Sequence, residues 1–509
     1  MIAIFGGGIS GLTTAHELLK NGYKVHLYEK EDILGGMARS EYVDGFPTEH
    51  SIRMYTSKYY NLYDLIRQIP SGNGTVYNNL RGIYPKTFNN SQFTLMDKIL
   101  LGYHSFRYAS SSPLRHKEYG GGSENLLSKI SPGGRKILES VTDTYGNNTP
   151  HVSLAHTLHI IRHYKSTYRS MIDKDNPGKS KNWRVMSGPT NDKFINPWVT
   201  YLVSRGLKIH LNSELKKINF AENKITSCEL NNGIIKADVY VICLNPFNAE
   251  EVFGNSNMIN LYQQHKLLNK NSSINEIAFI LALNKKIKFP TKPFYVGFGL
   301  FDVPYKILLM PQDIIWGGWS KNEHKSLWGG LIMNSEKAQY LPKKELLDEI
   351  IKQLIESSGF QDEIYSNNGF YLTRDKISHA DIWKEWNWNG EMQVSDSKRW
   401  VNTHNNKAHR PDQSTNYSNL FIGGSHTKTS TDYWLMEGAV ESGKLVANNI
   451  LKHDGLKPVK IFQKNYTNFL ADLDTMLYPH IHILEFILLI ILIIILAMRN
   501  YRKKKVSQN

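Results

Sequence analysis

The chain has 509 residues, 41% of them apolar and 11% aromatic, which excludes a disordered protein and gives room for two or three domains. Its formal charge is +15, but Arg499, Arg502, Lys503, Lys504 and Lys505 supply five of the positive charges from the last eleven residues; the remainder shows no basic stripe interleaved with aromatics, so no nucleic-acid partner is expected. The two cysteines, Cys228 and Cys243, cannot make a disulfide framework or a metal site and read as buried strand thiols, and no metal is expected.

In chain order, the apolar run Met1-Ile2-Ala3-Ile4-Phe5 reads as a buried strand. Gly6-Gly7-Gly8-Ile9-Ser10-Gly11 follows at once as G-x-G-x-x-G, and helical spacing of apolar residues continues through Leu19. Residues 23–28 read as a second strand that ends on Glu29 and Lys30. In this context Gly6 permits a tight turn, Gly8 lets a pyrophosphate approach the backbone, and Gly11 lets helix and strand pack closely. The helix start at Ile9 and Ser10 offers unpaired N–H groups and the positive end of the helix dipole to phosphates. Glu29, 18 residues beyond Gly11, is placed to accept from a ribose 2′-OH and to repel a 2′-phosphate. The glycine pattern alone is a weak signal; with strand, helix and acid around it, it reads as a dinucleotide-binding turn.

Leu34-Gly35-Gly36-Met37-Ala38-Arg39-Ser40 comes next. It resembles the second glycine motif of the flavin amine oxidase and phytoene desaturase superfamily, in which a G-G pair and a nearby Arg wrap the FAD pyrophosphate. The resemblance implies FAD rather than NAD, with Gly36, Met37, Ala38 and Arg39 at the cofactor. In that superfamily a segment like Asp44–Arg53 crosses beneath the flavin. Glu49 and Arg53 therefore either meet cofactor or substrate or belong to an ordinary surface turn.

Residues 58–184 show helical patches at 60–68 and 154–164, broken at Gly120-Gly121-Gly122 and Asn147-Asn148-Thr149-Pro150, and read as an inserted, partly helical cap. A helix over 194–204 and a strand over 206–211 return to the nucleotide fold. Short strands through Ile218, Ile225 and Leu230 lead to 239–244, closed by Asn245-Pro246, an order that resembles the discontinuous FAD domain of the same superfamily. Residues 251–410 hold seven of the ten tryptophans, either core filling, the favoured reading for most, or the wall of an apolar substrate cavity. Residues 277–283 and 306–310 read as strands, and 343–359 as an amphipathic helix with Leu346, Leu347, Ile350, Ile351 and Leu354 on one face.

Residues 419–427 form an apolar strand followed by Gly423-Gly424-Ser425-His426, and Tyr433-Trp434-Leu435-Met436-Glu437-Gly438-Ala439 opens a small-residue helix that runs on through Gly443. This resembles the C-terminal FAD motif of flavin amine oxidases and related desaturases. The resemblance places Gly424, Ser425, Glu437, Gly438 and Ala439 at the cofactor, with the helix N-terminus against the isoalloxazine, where its positive end stabilises the charge gained on reduction. Three departures stand out. The family's usual acid after the first glycine of the turn is replaced by Gly424 and Ser425. The aromatic residue that monoamine-oxidase-like members place before M-E-G-A is Leu435. Neither cysteine sits in a flavin-linking context, which implies non-covalent FAD. No catalytic base is assigned; His426 lies nearest, and a structural histidine reads equally well there.

Residues 481–498 form an almost wholly apolar span of about 27 Å as a helix, followed by the basic tail. A buried core helix is the competing reading; its terminal position and basic flank favour a membrane anchor. The fold class expected is α/β: a Rossmann-type FAD domain with an inserted α+β substrate domain and a C-terminal transmembrane helix. The segments are FAD domain at 1–57, 185–250 and 415–455, cap at 58–184, substrate domain at 251–414, linker at 456–480, anchor at 481–498 and tail at 499–509. The function expected is a membrane-anchored, amine-oxidase-like FAD oxidoreductase, with its catalytic domain on the cytosolic side and a small-molecule, lipophilic substrate. Hydride would pass from a C–N or C–C bond to flavin N5. A lipid or isoprenoid desaturase, a redox-neutral sugar mutase and a non-catalytic FAD-fold membrane protein are the alternatives.

Overall fold

A computed structural model describes residues 1–143, 183–383 and 399–506 apart from 50, 52, 57–58, 90, 120, 271, 275–276, 293, 334–337, 402, 404–405, 432–434 and 463–468, together with 154, 157–158, 386–387 and 394–395. Several expected features lie outside these residues: the break at 147–150, most of the helical patch at 154–164, Tyr433, Trp434 and Trp388.

Ile2–Phe5 carries no polar side chain and is buried along its whole length. It pairs in parallel with Val25–Tyr28 on one side and Val239–Ile242 on the other. Lys208–His210 and Leu420–Ile422 complete a five-stranded parallel sheet. Numbered by chain position within this sheet, the strand order is 3-2-1-4-5, the Rossmann order, with its reversal point between the first and fourth strands. Alternate side chains serve opposite faces. Ile2, Ile4, Val25 and Leu27 pack on the helices Ile9–Lys20, Asn196–Ser204 and Met436–His453. Ala3, Phe5, Tyr28 and Ile242 pack beneath a three-stranded antiparallel layer, 215–235, and the helix Pro246–Asn255. Cys228 is buried in that layer and Cys243 is half-buried beside Ser10.

The second sheet has eight strands in the order Ile377–Ile382, Ile277–Leu283, Ser326–Ile332, Ile307–Pro311, Tyr295–Leu300, Leu80–Phe88, Trp183–Met186, Tyr55–Thr56. Only the pairing of Tyr295–Leu300 with Leu80–Phe88 is parallel. The segment expected as a helical cap, 58–184, thus contributes Leu80–Phe88 and the first half of Trp183–Met186 to the sheet of the expected substrate domain. Lys343–Glu356 and Ser358–Asn368 cover this sheet with Leu346, Ile350, Leu354, Phe360 and Ile364, around a fully buried Trp328. Trp383 belongs to the same core, whereas Trp183 and Trp400 line a cleft described below.

Helix Leu95–Ala109 opens with a capping box, Thr94 Oγ1 accepting from Asp97 N and Asp97 accepting from Thr94 N. Asp97 also accepts from Ser131 N at 2.8 Å and Ser131 Oγ at 2.6 Å. Burial works to raise its carboxyl, but the hydrogen bonds from Ser131 and Thr94 outweigh it and hold the group at about 2, against an ordinary 3.8. Because the folded-state value is the lower one, this stabilisation is complete above pH 4 and lost as the pH falls toward 2. Asp97→Asn is expected to lower neutral-pH stability by about 1–3 kcal/mol. Thermal midpoints followed across that acid window should converge for the two proteins.

The last described element is the helix Ile483–Val506, and 483–501 is the one stretch among the described residues long and apolar enough to cross a membrane. Its side chains from Leu488 to Met498 are almost all exposed.

Candidate cofactor site

The reversal point of the parallel sheet opens into a cleft of about 1110 Å³. Ligand pockets commonly run about 300–1,000 Å³, so this one is large enough for a dinucleotide and a second molecule. Of the residues singled out from sequence, Gly6, Gly8, Ile9, Ser10, Glu29, Lys30, Gly36, Met37, Ala38, Arg39, Gly424, Ser425 and Ala439 line it; Gly11, Glu437 and Gly438 do not.

The glycines divide their work. Gly6 sits at φ +105, and a Cβ there would lie 2.4 Å from the Cys243 carbonyl oxygen. A Cβ on Gly11 would lie 2.0 Å from the Gly6 oxygen, which is why helix and strand touch there and Gly11 faces away from the cleft. At Gly8 the nearest atom to such a Cβ is Gly36 Cα at 3.8 Å, so the space before it is open. Gly35 N donates to Gly7 O at 2.9 Å, and Gly36, at φ +53, closes over Gly8. The two glycine motifs thereby form one cradle that side chains would fill. No side chain caps the helix Ile9–Lys20, so its first N–H groups are available to an anion at Gly8, Ile9 and Ser10.

Glu29 lines the cleft and also holds the turn: one carboxylate oxygen accepts from Gly7 N at 2.6 Å and the other from Glu31 N at 3.1 Å. Arg39 is buried; its Nε donates to Glu41 at 2.5 Å and an Nη to Gly36 O at 3.2 Å, so it works within a pair. Arg53, which also lines the cleft, donates to the carbonyl oxygens of Met37, Ala38 and Arg39. Burial lowers its pKa and raises that of Glu49; each opposes the other's shift, and Glu49 accepts from Thr190 N and Oγ1.

A second guanidinium does the same at the far end. Arg410, buried, donates to the carbonyl oxygens of Ser425, His426 and Thr427. These two clamps tie up carbonyl oxygens of both loops that face the cleft. Arg410 escapes a sequence reading, since its acceptors are main-chain atoms. Gly424 has φ +137, and a Cβ would meet the His426 ring at 2.6 Å, which explains why no acid stands there. Burial first, then His265 and Arg410, hold His426 neutral; it lines the cleft, and its Nε2 has no partner among the described residues.

The helix Met436–His453 also starts at the cleft without a side-chain cap, presenting Leu435, Met436 and Ala439. Glu437 corrects the expectation from sequence. It is fully buried and accepts from Asn61 N and Nδ2 at 3.0 Å and Leu62 N at 2.9 Å, holding the start of Tyr60–Ile66; Gly438 is buried beside it. Two uncapped helix N-termini therefore face one cleft. Beyond the second, Met54, Trp183 and Leu435 belong to an apolar cluster, while the acids Glu29, Glu31, Glu214, Glu250 and Glu251 lie on the segments of the Glu29 end.

This fold and cleft are those of an FAD-dependent oxidoreductase, and the chain belongs to the flavin containing amine oxidoreductase family, whose model matches residues 9–451. It is similar to the zeta-carotene desaturase of Synechocystis sp., 23% identical over 88% of this chain and 97% of that protein. In fold it is similar to putrescine oxidase bound to putrescine (TM-score 0.62, 13% identical, 89% of this chain and 98% of that one). It is likewise similar to cyclohexylamine oxidase from Brevibacterium oxydans (TM-score 0.60, 14% identical, 89% and 99%). The cradle, the two helix starts and the cleft size fit FAD.

Proposed function

We propose that this protein is a membrane-anchored flavoenzyme that oxidises an apolar substrate at a C–C bond, in the manner of a desaturase. The carrying observation is the apolar cluster in the cleft wall: Met54, Trp183 and Leu435 come together beside the Met436 helix start, and the nearby guanidinium of Arg53 is turned to the main-chain carbonyls of Met37, Ala38 and Arg39. Leu435 stands where amine-oxidising relatives were expected to carry an aromatic wall. Gly8, Ile9 and Ser10 hold the cofactor's phosphates, and Gly36 to Arg39 close over them. Ser425, His426 and the first N–H groups of Met436–His453 hold the redox end. Bound FAD supplies the two-electron acceptor. The apolar wall orients the substrate and excludes water, and His426, elsewhere in the cleft lining, is held neutral.

The helix Ile483–Val506 serves as the anchor, its largely apolar stretch 483–501 being about 28 Å long, with the domain on the cytosolic side. A substrate that partitions into lipid suits such an enzyme. Anaerobic addition of a carotene-class polyene to the full-length protein in detergent is expected to bleach its flavin, and a panel of alkyl and aryl amines is not. Bleaching by amines alone would overturn the substrate class and restore the amine-oxidase reading.

A further inference from the structure

Helix Leu95–Ala109 is apolar on the side where a soluble protein is polar. Leu95 is 75% exposed, Met96 68%, Ile99 57%, Phe106 48% and Tyr103 37%. At about 100° per residue these five positions fall within an arc of roughly 100°. The opposite side is already used: Leu101 is buried, and Leu100 and Tyr108 pack with Tyr119, Leu126 and Leu138. A surface helix normally turns charged residues outward once its core stripe is satisfied. Among the described residues nothing covers this second stripe, and contiguous exposed apolar patches mark interaction surfaces.

What lies beside it identifies the partner. Arg107 and Tyr103, one at the margin of the stripe and one within it, both reach Glu485 in the first turn of Ile483–Val506, Arg107 Nε donating at 2.9 Å. Just below, the buried Asp474 accepts from Arg115 Nε at 2.9 Å, Ser112 N at 2.8 Å and Ile483 N at 2.9 Å. Arg115 also donates to Ile481 O at 2.6 Å, and His482 Nε2 meets Ser111 Oγ at 3.1 Å. The base of the terminal helix is thus locked to the end of Leu95–Ala109 by buried polar contacts rather than hung on a swivel. Met476, in the helix just before the terminal one, is also exposed, at 81%. A bilayer entered by one helix is then within reach of the other.

We propose that the Leu95–Phe106 face rests in the lipid surface that the terminal helix enters, so that the protein is seated on the bilayer by two elements. This rests on the reading of Ile483–Val506 as an anchor. Interfacial helices of this kind sink their apolar face about 5–10 Å into the headgroup and acyl boundary. Arg107 pairs with Glu485 at that boundary, which lowers the cost of bringing the anchor's first acid toward lipid.

The test uses full-length protein in phosphatidylcholine–phosphatidylserine vesicles, with a polarity-sensitive fluorophore on one introduced cysteine. The native Cys228 is buried and burial pushes the Cys243 thiol up to about 12, so labelling favours the new site. Three positions are compared: Ile99→Cys on the stripe, Leu492→Cys in the terminal helix, and Ile234→Cys, exposed on the three-stranded layer of the nucleotide domain. The expected result is that a shallow lipid nitroxide quenches the label at 99. Aqueous iodide should quench it several-fold less than the label at 234. If 492 is quenched by lipid nitroxide and 99 behaves like 234, the anchor stands and the second contact is overturned. A label at 99 that is shielded from iodide yet untouched by lipid nitroxide also overturns it, pointing to a second copy of this chain on that face. If neither 492 nor 99 senses lipid, the anchor reading itself fails, and this proposal with it.

Discussion

A Gly8→Val variant is expected to fold and yet to purify without flavin. The backbone at Gly8 has φ −77 and ψ −178, an extended conformation any residue adopts, and a Cβ there finds nothing closer than 3.8 Å. The added carbons project into the cradle where the phosphates lie. Overpacking of this kind costs about 1–3 kcal/mol, here charged to binding alone, so FAD affinity should fall about 10- to 100-fold. Gly11→Val is the contrasting case. Its Cβ would lie 2.0 Å from the Gly6 carbonyl oxygen, a backbone atom that cannot swing away. That variant should lose about 3 kcal/mol or more of stability and accumulate poorly. Circular dichroism with a flavin titration separates the two outcomes: folded and empty for Gly8→Val, unstable for Gly11→Val. Equal losses of folding in both would show that the space before Gly8 is not a ligand cradle.

The second large effect is expected at Arg53. Replacing it with Met strips three carbonyl oxygens, those of Met37, Ala38 and Arg39, of their donor and leaves Glu49 without its nearby cation. Leaving buried carbonyl oxygens without their donor costs about 1–3 kcal/mol, and Glu49 also loses a cation whose charge favours its ionised form. Arg53→Lys should recover little, because an ammonium cannot fork to three carbonyls as a guanidinium does. Combining Arg53→Met with Glu49→Gln should restore part of the stability, since the stranded carboxylate is then gone. Denaturant midpoints for the singles and the double measure this coupling, and strict additivity would contradict it. Flavin binding should weaken in Arg53→Met even where folding is rescued, because the Gly36–Arg39 loop loses its clamp.

The legible parts of this molecule are those where local chemistry leaves one choice. Gly6 at φ +105 and Gly11 against a carbonyl oxygen admit only glycine, so the cofactor turn shows in the sequence itself. The buried strands Ile2–Phe5 and Val239–Ile242 show as unbroken apolar runs. The terminal helix shows for the same reason. Contacts made to main-chain atoms far away leave no such trace. Arg410 binds three carbonyls, which every residue type offers, and nothing in its own neighbourhood predicts them. Glu437 reads as a cofactor contact because it sits in a cofactor motif, yet its partners, Asn61 and Leu62, lie 376 and 375 residues away in the chain. The strand Leu80–Phe88 is hidden differently. Pro85 interrupts it, and its parallel partner Tyr295–Leu300 lies far along the chain, so periodicity can suggest the strand but never its neighbour. The outer stripe of Leu95–Ala109 is invisible for a related reason: apolar residues on both sides of a helix read as a single buried helix until the packing shows which side is covered.

The cleft between the two uncapped helix starts is the FAD site. The most direct test is the visible absorption spectrum of the full-length protein purified in detergent, read before and after denaturation. A flavin spectrum that shifts to that of free FAD on unfolding, with the flavin passing a filter, is the predicted result and establishes a non-covalent site. Well-folded protein that carries no flavin and takes up none on titration with FAD would contradict it.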